Sequence, residues 1–338
     1  MEITRSFTRR IIWAFLVGIL VSIVLIGVFP SNTPDWLWKK VSVFSTVFLG
    51  IFIEAAPFLL LGTLASGLVE EFLDRKWMMK IASGHGMLSA FAGAFMGLIF
   101  PVCECGVIPL TRRLYKKGLP LSAGVAFLLA APVMNPIVIA STASAFGWGR
   151  MLVWRLGITL FIAVVVGLIF YVEKDSSKIL RQVPVTVHLH EHSHASSGIE
   201  ITFISKIHNA LVISADEFIE MGRYLVLGGM IAAGMQTFIP QTTLLSIGNG
   251  PFLSVLVMLA LAFILSICST VDAFVALGFV GAFSFGSVLA FLTFGPMVDI
   301  KSLLMYRQVF QRRVVAYLVL IPFLITLLTG LVFNYFLP

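Results

Sequence analysis

The amino-acid sequence predicts an all-α integral membrane protein: a polytopic helical bundle with two inverted repeats, each containing a broken or re-entrant hairpin. Three observations carry that expectation. The first is composition. Of 338 residues, 59% are hydrophobic and 12% are charged, whereas soluble chains carry about 25% charged residues. The mean hydropathy is +1.02. Such a chain has too little polar surface to cover itself in water. The second is a series of long apolar runs separated by short basic clusters. The third is a set of sequence blocks that recur at a nearly constant offset.

The runs follow in order. Ile11 to Phe29 comes after Arg5, Arg9 and Arg10. It is longer than a signal-peptide core and no small-x-small cleavage site follows, so it reads as an uncleaved first span. Val43 to Val69 is the second and carries Glu54 and Pro57. His85 to Leu110 is interrupted from Pro101 to Gly106, and Leu121 to Phe146 contains Pro132 and Pro136. Met151 to Val172 closes the first half. A polar stretch from Glu173 to about Lys206 precedes Leu211 to Ile239, Phe252 to Phe283 (broken around Cys268 to Asp272), Gly286 to Val298 and Val314 to Leu337. The predicted organisation is an N-terminal helix and outer loop (1–42), a first membrane repeat (43–172), a His-rich cytoplasmic linker (173–206) and a second repeat (207–338).

The net charge of +7 sits in short clusters between apolar runs, so it reads as a positive-inside signal. No basic face exists for nucleic acid, which is excluded as a partner. Arg5, Arg9 and Arg10 place the N-terminus in the cytoplasm. Arg75, Lys76 and Lys80 belong on that same side, as do Arg112, Arg113, Lys116 and Lys117. Both clusters reach it if His85 to Leu110 enters the membrane and returns, with its tip near Pro101 and Gly106. Each arm is too short, at ~1.5 Å per residue, for a ~30 Å core. Read the same way, Phe252 to Phe283 is a hairpin from outside, and Lys301, Arg307, Arg312 and Arg313 return to the cytoplasm. The result is seven full spans, two hairpins and an outside C-terminus in a multi-pass plasma or inner membrane protein.

The halves resemble each other. Phe52-Ile53-Glu54, Leu59, Leu61 and Gly62 match Phe218-Ile219-Glu220, Leu225, Leu227 and Gly228 at offset 166. Cys103 matches Cys268 at offset 165, and Phe127-Leu128, Pro132 and Asn135 match Phe291-Leu292, Pro296 and Asp299 at offset 164. On the charge map the matched segments run in opposite directions. Secondary transporters commonly use such inverted repeats, with interrupted helices meeting near the midplane.

Residues able to carry chemistry gather at the interruptions. Cys103, Glu104 and Cys105 lie within three residues, and thiolates suit soft metals. An extended tip aims both thiols at one cavity where a helix would spread them. The three cysteines read as free thiols, since an odd, small number in apolar context makes no disulfide framework. Intramembrane Glu54 and Glu220 are candidates for proton coupling, although Glu220 stands one turn before Arg223 and has a local ion pair as its simpler use. Met134, Asn135 and Asp299 flank the prolines that free backbone carbonyls. Asp272 follows Cys268, Ser269 and Thr270 at the second break. His188, His190, His192 and His194 alternate along the linker, a spacing that wraps Zn, Ni or Cu. No phosphate-binding glycine loop occurs, so nothing here hydrolyses ATP.

The segment Pro101-Val-Cys-Glu-Cys-Gly-Val-Ile-Pro-Leu110, then Gly118-Leu-Pro120 and Ala131-Pro-Val-Met-Asn-Pro136, resembles the predicted-permease family that includes the YraQ-like proteins and the organoarsenical efflux permeases of the ArsP type. The resemblance covers the entire chain, including Cys268-Ser-Thr-Val-Asp272. It implies a membrane permease, with efflux of trivalent organoarsenicals in some members. The usual family motif is Cys-Ser-Cys-Gly, and Glu104 stands here in place of the serine; its added negative charge suits a cation.

The expected activity is therefore a permease, a secondary transporter working as an efflux system for a small thiophilic or metal or metalloid substrate, rather than an enzyme. Its substrate site lies between the two tips and comprises Cys103, Glu104, Cys105, Met134, Asn135, Cys268, Ser269, Thr270, Asp272 and Asp299. The alternatives are an intramembrane thiol-dependent redox enzyme and a metal-responsive membrane receptor. The expected partners are a small-molecule or ion substrate and the lipid bilayer, with self-association left open and no cofactor assigned.

Overall fold

The computed structural model describes residues 35–73, 86–100, 102–171, 203–238 and 250–336. Twelve helices lie there: α1 (Asp35–Phe72), α2 (Gly86–Ile99), α3 (Glu104–Lys116), α4 (Leu121–Met134), α5 (Pro136–Phe146), α6 (Arg150–Tyr171), α7 (Phe203–Phe238), α8 (Pro251–Leu265), α9 (Asp272–Leu277), α10 (Phe285–Phe294), α11 (Ile300–Val309) and α12 (Arg312–Phe336). The predicted first span at Ile11 to Phe29 and the histidine tract lie outside the described residues. The second span begins at Asp35 rather than Val43, and the linker gives way to helix at Phe203. The chain divides into two compact units at Val47 and Phe48, the second holding every helix from Gly86 onward and most of α1.

Five segments among the described residues are long and apolar enough to cross a membrane: Asp35–Phe72, Leu121–Phe146, Arg150–Tyr171, Phe203–Phe238 and Arg312–Phe336. The described residues are nearly all helical, and the protein is a multi-pass membrane protein. Helices are the natural choice because lipid offers no hydrogen-bond partner to the backbone.

Two groups of three mutually packed helices form the body: α2, α4 and α6, and α8, α10 and α12. They meet where α6 touches α10 and α12. Every residue of α4 is buried, so this helix is surrounded by protein on all sides. Small residues allow that density. A Cβ on Gly93 or Gly97 would run into the backbone of Ala123 or Ala131 on α4. Close approach through small residues is how helices associate in lipid, where apolar burial supplies little drive. One hydroxyl pair ties each group, Ser89 to Ser122 at 3.1 Å and Ser254 to Ser287 at 2.6 Å.

The remaining helices cross between the groups. α3 packs on α11, and α5 packs on α9. The long helices α1 and α7 lie against the first of these pairs. Gly62 of α1 abuts the Gly106 backbone of α3, and a Cβ on Gly228 of α7 would stand 2.9 Å from Lys301 Cα of α11.

Candidate functional site

The helices break where the sequence predicts. Phe100 precedes a proline, which disfavours helical backbone at that residue. The chain then runs extended through Cys103 (φ −83°, ψ 178°), whose carbonyl accepts from Gly106 N at 3.1 Å and Val107 N at 2.9 Å to start α3. At the second break, Ser266 takes a left-handed conformation with φ 51°. That costs a non-glycine residue about 1–3 kcal/mol and persists only where surroundings enforce it. Here its hydroxyl donates to Asp299 Oδ2 at 2.9 Å. The Cys268 carbonyl accepts from Val271 N and Asp272 N, both at 3.0 Å, and α9 begins.

Two further breaks face these. α4 yields to α5 at Asn135, with Pro136 opening the new helix, and α10 yields to α11 just past Pro296. Asn135 Oδ1 accepts from Ile137 N at 2.9 Å while its Nδ2 donates to Val102 O at 3.4 Å. Asp299 caps α11 in a reciprocal box with Ser302. Each break is thus tied to its neighbour by a buried side chain, Asn135 on one side and Ser266 on the other.

These ties gather four helix N-termini, and the acids sit where the helix dipoles favour them. Glu104 and Asp272 occupy the first turns of α3 and α9, and Asp299 caps α11. Placement of this kind stabilises a carboxylate by about 0.3–1 kcal/mol near a surface. Ser269 Oγ donates to Glu104 Oε2 at 3.4 Å, so the two predicted tips do meet. Glu104, Ser269, Asp272 and Asp299 are each at most 2% exposed.

Two buried cations complete the cluster, and the sequence reading missed both. Lys301, assigned above to a cytoplasmic basic group, is 1% exposed, with Nζ 3.7 Å from Glu104 Oε1 and 3.5 Å from Asp299 Oδ2. One ammonium is thus shared between two buried carboxylates, Glu104 and Asp299. Arg155, 0% exposed, donates to Asp272 Oδ2 at 2.5 Å and to Thr142 Oγ1 at 2.7 Å. Its signal was available, a lone arginine inside the apolar run from Met151 to Val172. Lys301 was masked by the basic residues that follow it.

Cys103, Cys105 and Cys268 are free and buried at these same breaks. Cys103 is extended and Cys105 already lies in the first turn of α3, so the two are not both on an extended tip. Thr270 Oγ1 donates to Cys268 Sγ at 3.5 Å. Met134 is the last residue of α4 and is buried beside Asn135. Asn135 has both amide groups engaged with backbone. Among the described residues no group of three or more His, Cys, Asp or Glu side chains is arranged to hold a metal ion.

A second polar cluster lies at the C-terminal ends of α3 and α11. Arg113 Nε stands 2.5 Å from Glu217 Oε1, and its Nη1 is 3.7 Å from Glu70 Oε2. Arg112 pairs with Glu220 at 3.5 Å, Gln308 Nε2 donates to Glu220 Oε1 at 3.1 Å, and Tyr224 donates to Gln308 at 2.6 Å. Lys117 donates to the Glu70 carbonyl. Glu220 thus pairs across helices with Arg112, not locally with Arg223. Glu54, at the matching position of α1, keeps a buried Oε1 without a hydrogen-bond partner.

A family model described as a predicted permease, ArsP_1, matches residues 40–335. UPF0718 protein YcgR of Bacillus subtilis is 44% identical over 278 residues, which cover 81% of this chain and 91% of that protein. A Streptococcus mutans protein, provisionally named a two-component membrane permease complex subunit, is 39% identical over 269 residues, covering 79% of this chain and 87% of that protein. No solved structure matches the chain significantly.

Proposed function

The chain belongs to the ArsP_1 family of predicted permeases, and on that premise we propose that it is a secondary transporter that exports a small thiophilic, metal or metalloid substrate through the meeting point of its broken helices. The observation that carries this reading is the Ser269–Glu104 contact at 3.4 Å. It joins two helix breaks lined by three buried free thiols and by carboxylates paired with buried cations. Irregular backbone at membrane depth is tolerated only inside protein or along a cavity, which makes such a junction the natural place for a solute to exchange water for protein ligands. Cys103, Glu104, Cys105, Met134, Asn135, Cys268, Ser269, Thr270, Asp272 and Asp299 are the proposed substrate-facing set. Glu54 and Glu220 are the proposed route by which a proton gradient drives it.

Correspondences between the two halves support the reading, and with it a pair of inverted repeats. α5 and α11 begin at Pro136 and Ile300, an offset of 164. The Ser89–Ser122 and Ser254–Ser287 pairs correspond at offset 165. So do the ties from Asn135 to Val102 and from Asp299 to Ser266, at offset 164. The proposed topology has α2–α3 and α8–α9 re-entering from opposite faces, with the N-terminus and Arg112–Lys117 cytoplasmic as the positive-inside pattern suggests. A single cysteine at Lys116 in a thiol-free chain should react with impermeant maleimide only after the cytoplasmic face is opened; reaction from outside would end the re-entrant topology. The name of the Streptococcus mutans relative adds a proposal of a second membrane subunit.

Flux into proteoliposomes tests the function. Cys103→Ser with Cys105→Ser keeps size and polarity but removes soft coordination. Export of a trivalent arsenical is expected to fall about tenfold or more, the equivalent of ~1.4 kcal/mol in binding. Undiminished flux in the double variant, with loss in Glu104→Gln, would make the thiols packing residues and place the site on the carboxylate.

A further inference from the structure

We propose that α1 and α7 are moving arms of an alternating-access cycle, and that in the opposite state α1 docks along α5 with Glu54 bonded to Ser144. The seat is the counterpart of the one α7 occupies on α11 here, with Glu220 bonded to Gln308. This rests on the permease reading above.

α1 and α7 are seated asymmetrically. Residues of α1 and α7 correspond at offset 166: Glu54 with Glu220, Phe58 with Tyr224, Gly62 with Gly228. Residues of α5 and α11 correspond at offset 164: Ile137 with Lys301, Ser144 with Gln308. Repeats related by an exact two-fold operation make matching contacts, and these do not. Gly228 sits on Lys301, so its counterpart Gly62 belongs on Ile137. Instead Gly62 abuts Gly106 of α3. Both arms lean on the pair formed by α3 and α11.

Exposure records the same imbalance. Residues 104–111 of α3 and Ile300, Lys301, Ser302, Met305 and Tyr306 of α11 are buried. Ile137 is 45% exposed on α5, and Val271, the counterpart of Gly106, is 40% exposed at the start of α9. These are the two positions that α1 and α7 would cover after exchanging seats.

An unpartnered buried group gives the independent observation. Glu220 is held by Arg112 and Gln308, whereas buried Glu54 Oε1 has no hydrogen-bond donor. A buried carboxylate oxygen without a donor is costly, by about 1–3 kcal/mol or more, which favours any other state that supplies one. Seating α1 on α5 as α7 sits on α11 brings Glu54 to Ser144. That hydroxyl is exposed here and donates only to Ala140 O, at 2.8 Å. Tyr224 also bonds Gln308, but its counterpart Phe58 has no hydroxyl to compete for Ser144.

Two cysteine pairs read the two packings: Tyr224→Cys with Gln308→Cys for the seat occupied here, and Phe58→Cys with Ser144→Cys for the proposed one. A short bis-maleimide is applied in membranes, and cross-linked peptides are identified by mass spectrometry. Both cross-links are expected to form, but not in the same molecule of a chain carrying all four cysteines, where the 224–308 product also certifies folding. Absence of the 58–144 product while 224–308 forms would overturn the proposal, as would both products in one molecule. Flux is read separately. Loss of flux on locking either pair supports the arms as moving parts. If both cross-links form exclusively while no solute crosses, the permease reading fails and the two packings stand.

Discussion

Arg155→Met is expected to remove most of the folded protein from detergent extracts, measured by fluorescence-detected size-exclusion chromatography and by thermal unfolding of what remains. Arg155 is 0% exposed and is the counterion of Asp272 at 2.5 Å. Withdrawing one partner of a buried ion pair strands the other and costs about 3–5 kcal/mol, a large share of the ~5–15 kcal/mol by which domains are stable. The double variant Arg155→Met with Asp272→Leu strands no charge, and its folding should recover most of the loss. Flux should not recover with it, because Asp272 belongs to the proposed substrate-facing set. Recovery of both would make the pair purely structural. Failure of the double variant to fold better than Arg155→Met would show that the Thr142 contact and local packing dominate.

Lys301→Met should have the second-largest effect. Its ammonium stands between Glu104 and Asp299 at 3.7 and 3.5 Å, and without it two buried acids face each other uncompensated. The expected penalty is again about 3–5 kcal/mol, or roughly two to four orders of magnitude in the folded-to-unfolded ratio. Adding Glu104→Gln removes one of the acids and should restore much of the thermal stability. Lys301→Arg tests geometry rather than charge, since the guanidinium is larger than the ammonium and Lys301 Cα is pressed against Gly228. Stability close to the parent in Lys301→Met would mean that the carboxylates are protonated at rest and that the ion pairing drawn from the coordinates does not govern folding.

The sequence made the interruptions legible because prolines, glycines and polar residues mark them locally. The expected breaks at Pro101 to Gly106 and around Cys268 to Asp272 coincide with gaps between helices, the second opening earlier than expected, at Ser266. The matched offset of Cys103 and Cys268 singled out the two breaks, and Ser269 of one contacts Glu104 of the other. The counterions were not readable. A positive residue near the end of an apolar run carries the same local signature whether it faces the cytoplasm or another helix. The distinction depends on contacts such as that between Lys301 and Glu104, far apart in the chain. For the same reason Glu220 pointed to Arg223 one turn away, while the fold supplied Arg112. Asn135 was placed correctly, but its role was decided by where Val102 O lies, and no periodicity encodes that.

The charge pairing also constrains how the protein is made. Arg155 and Asp272 are 117 residues apart, which at ribosomal speeds of 5–20 residues per second is a wait of roughly 6–25 s. For that interval the nascent first half holds an arginine in its membrane segment with its final counterion still unsynthesised. Glu104 waits longer for Lys301. Neither half is electrostatically complete alone, so insertion of the separate helices and closure of the centre are distinct events in biogenesis. A chain truncated within its second half is left with an open ionic defect that membrane quality-control proteases can recognise.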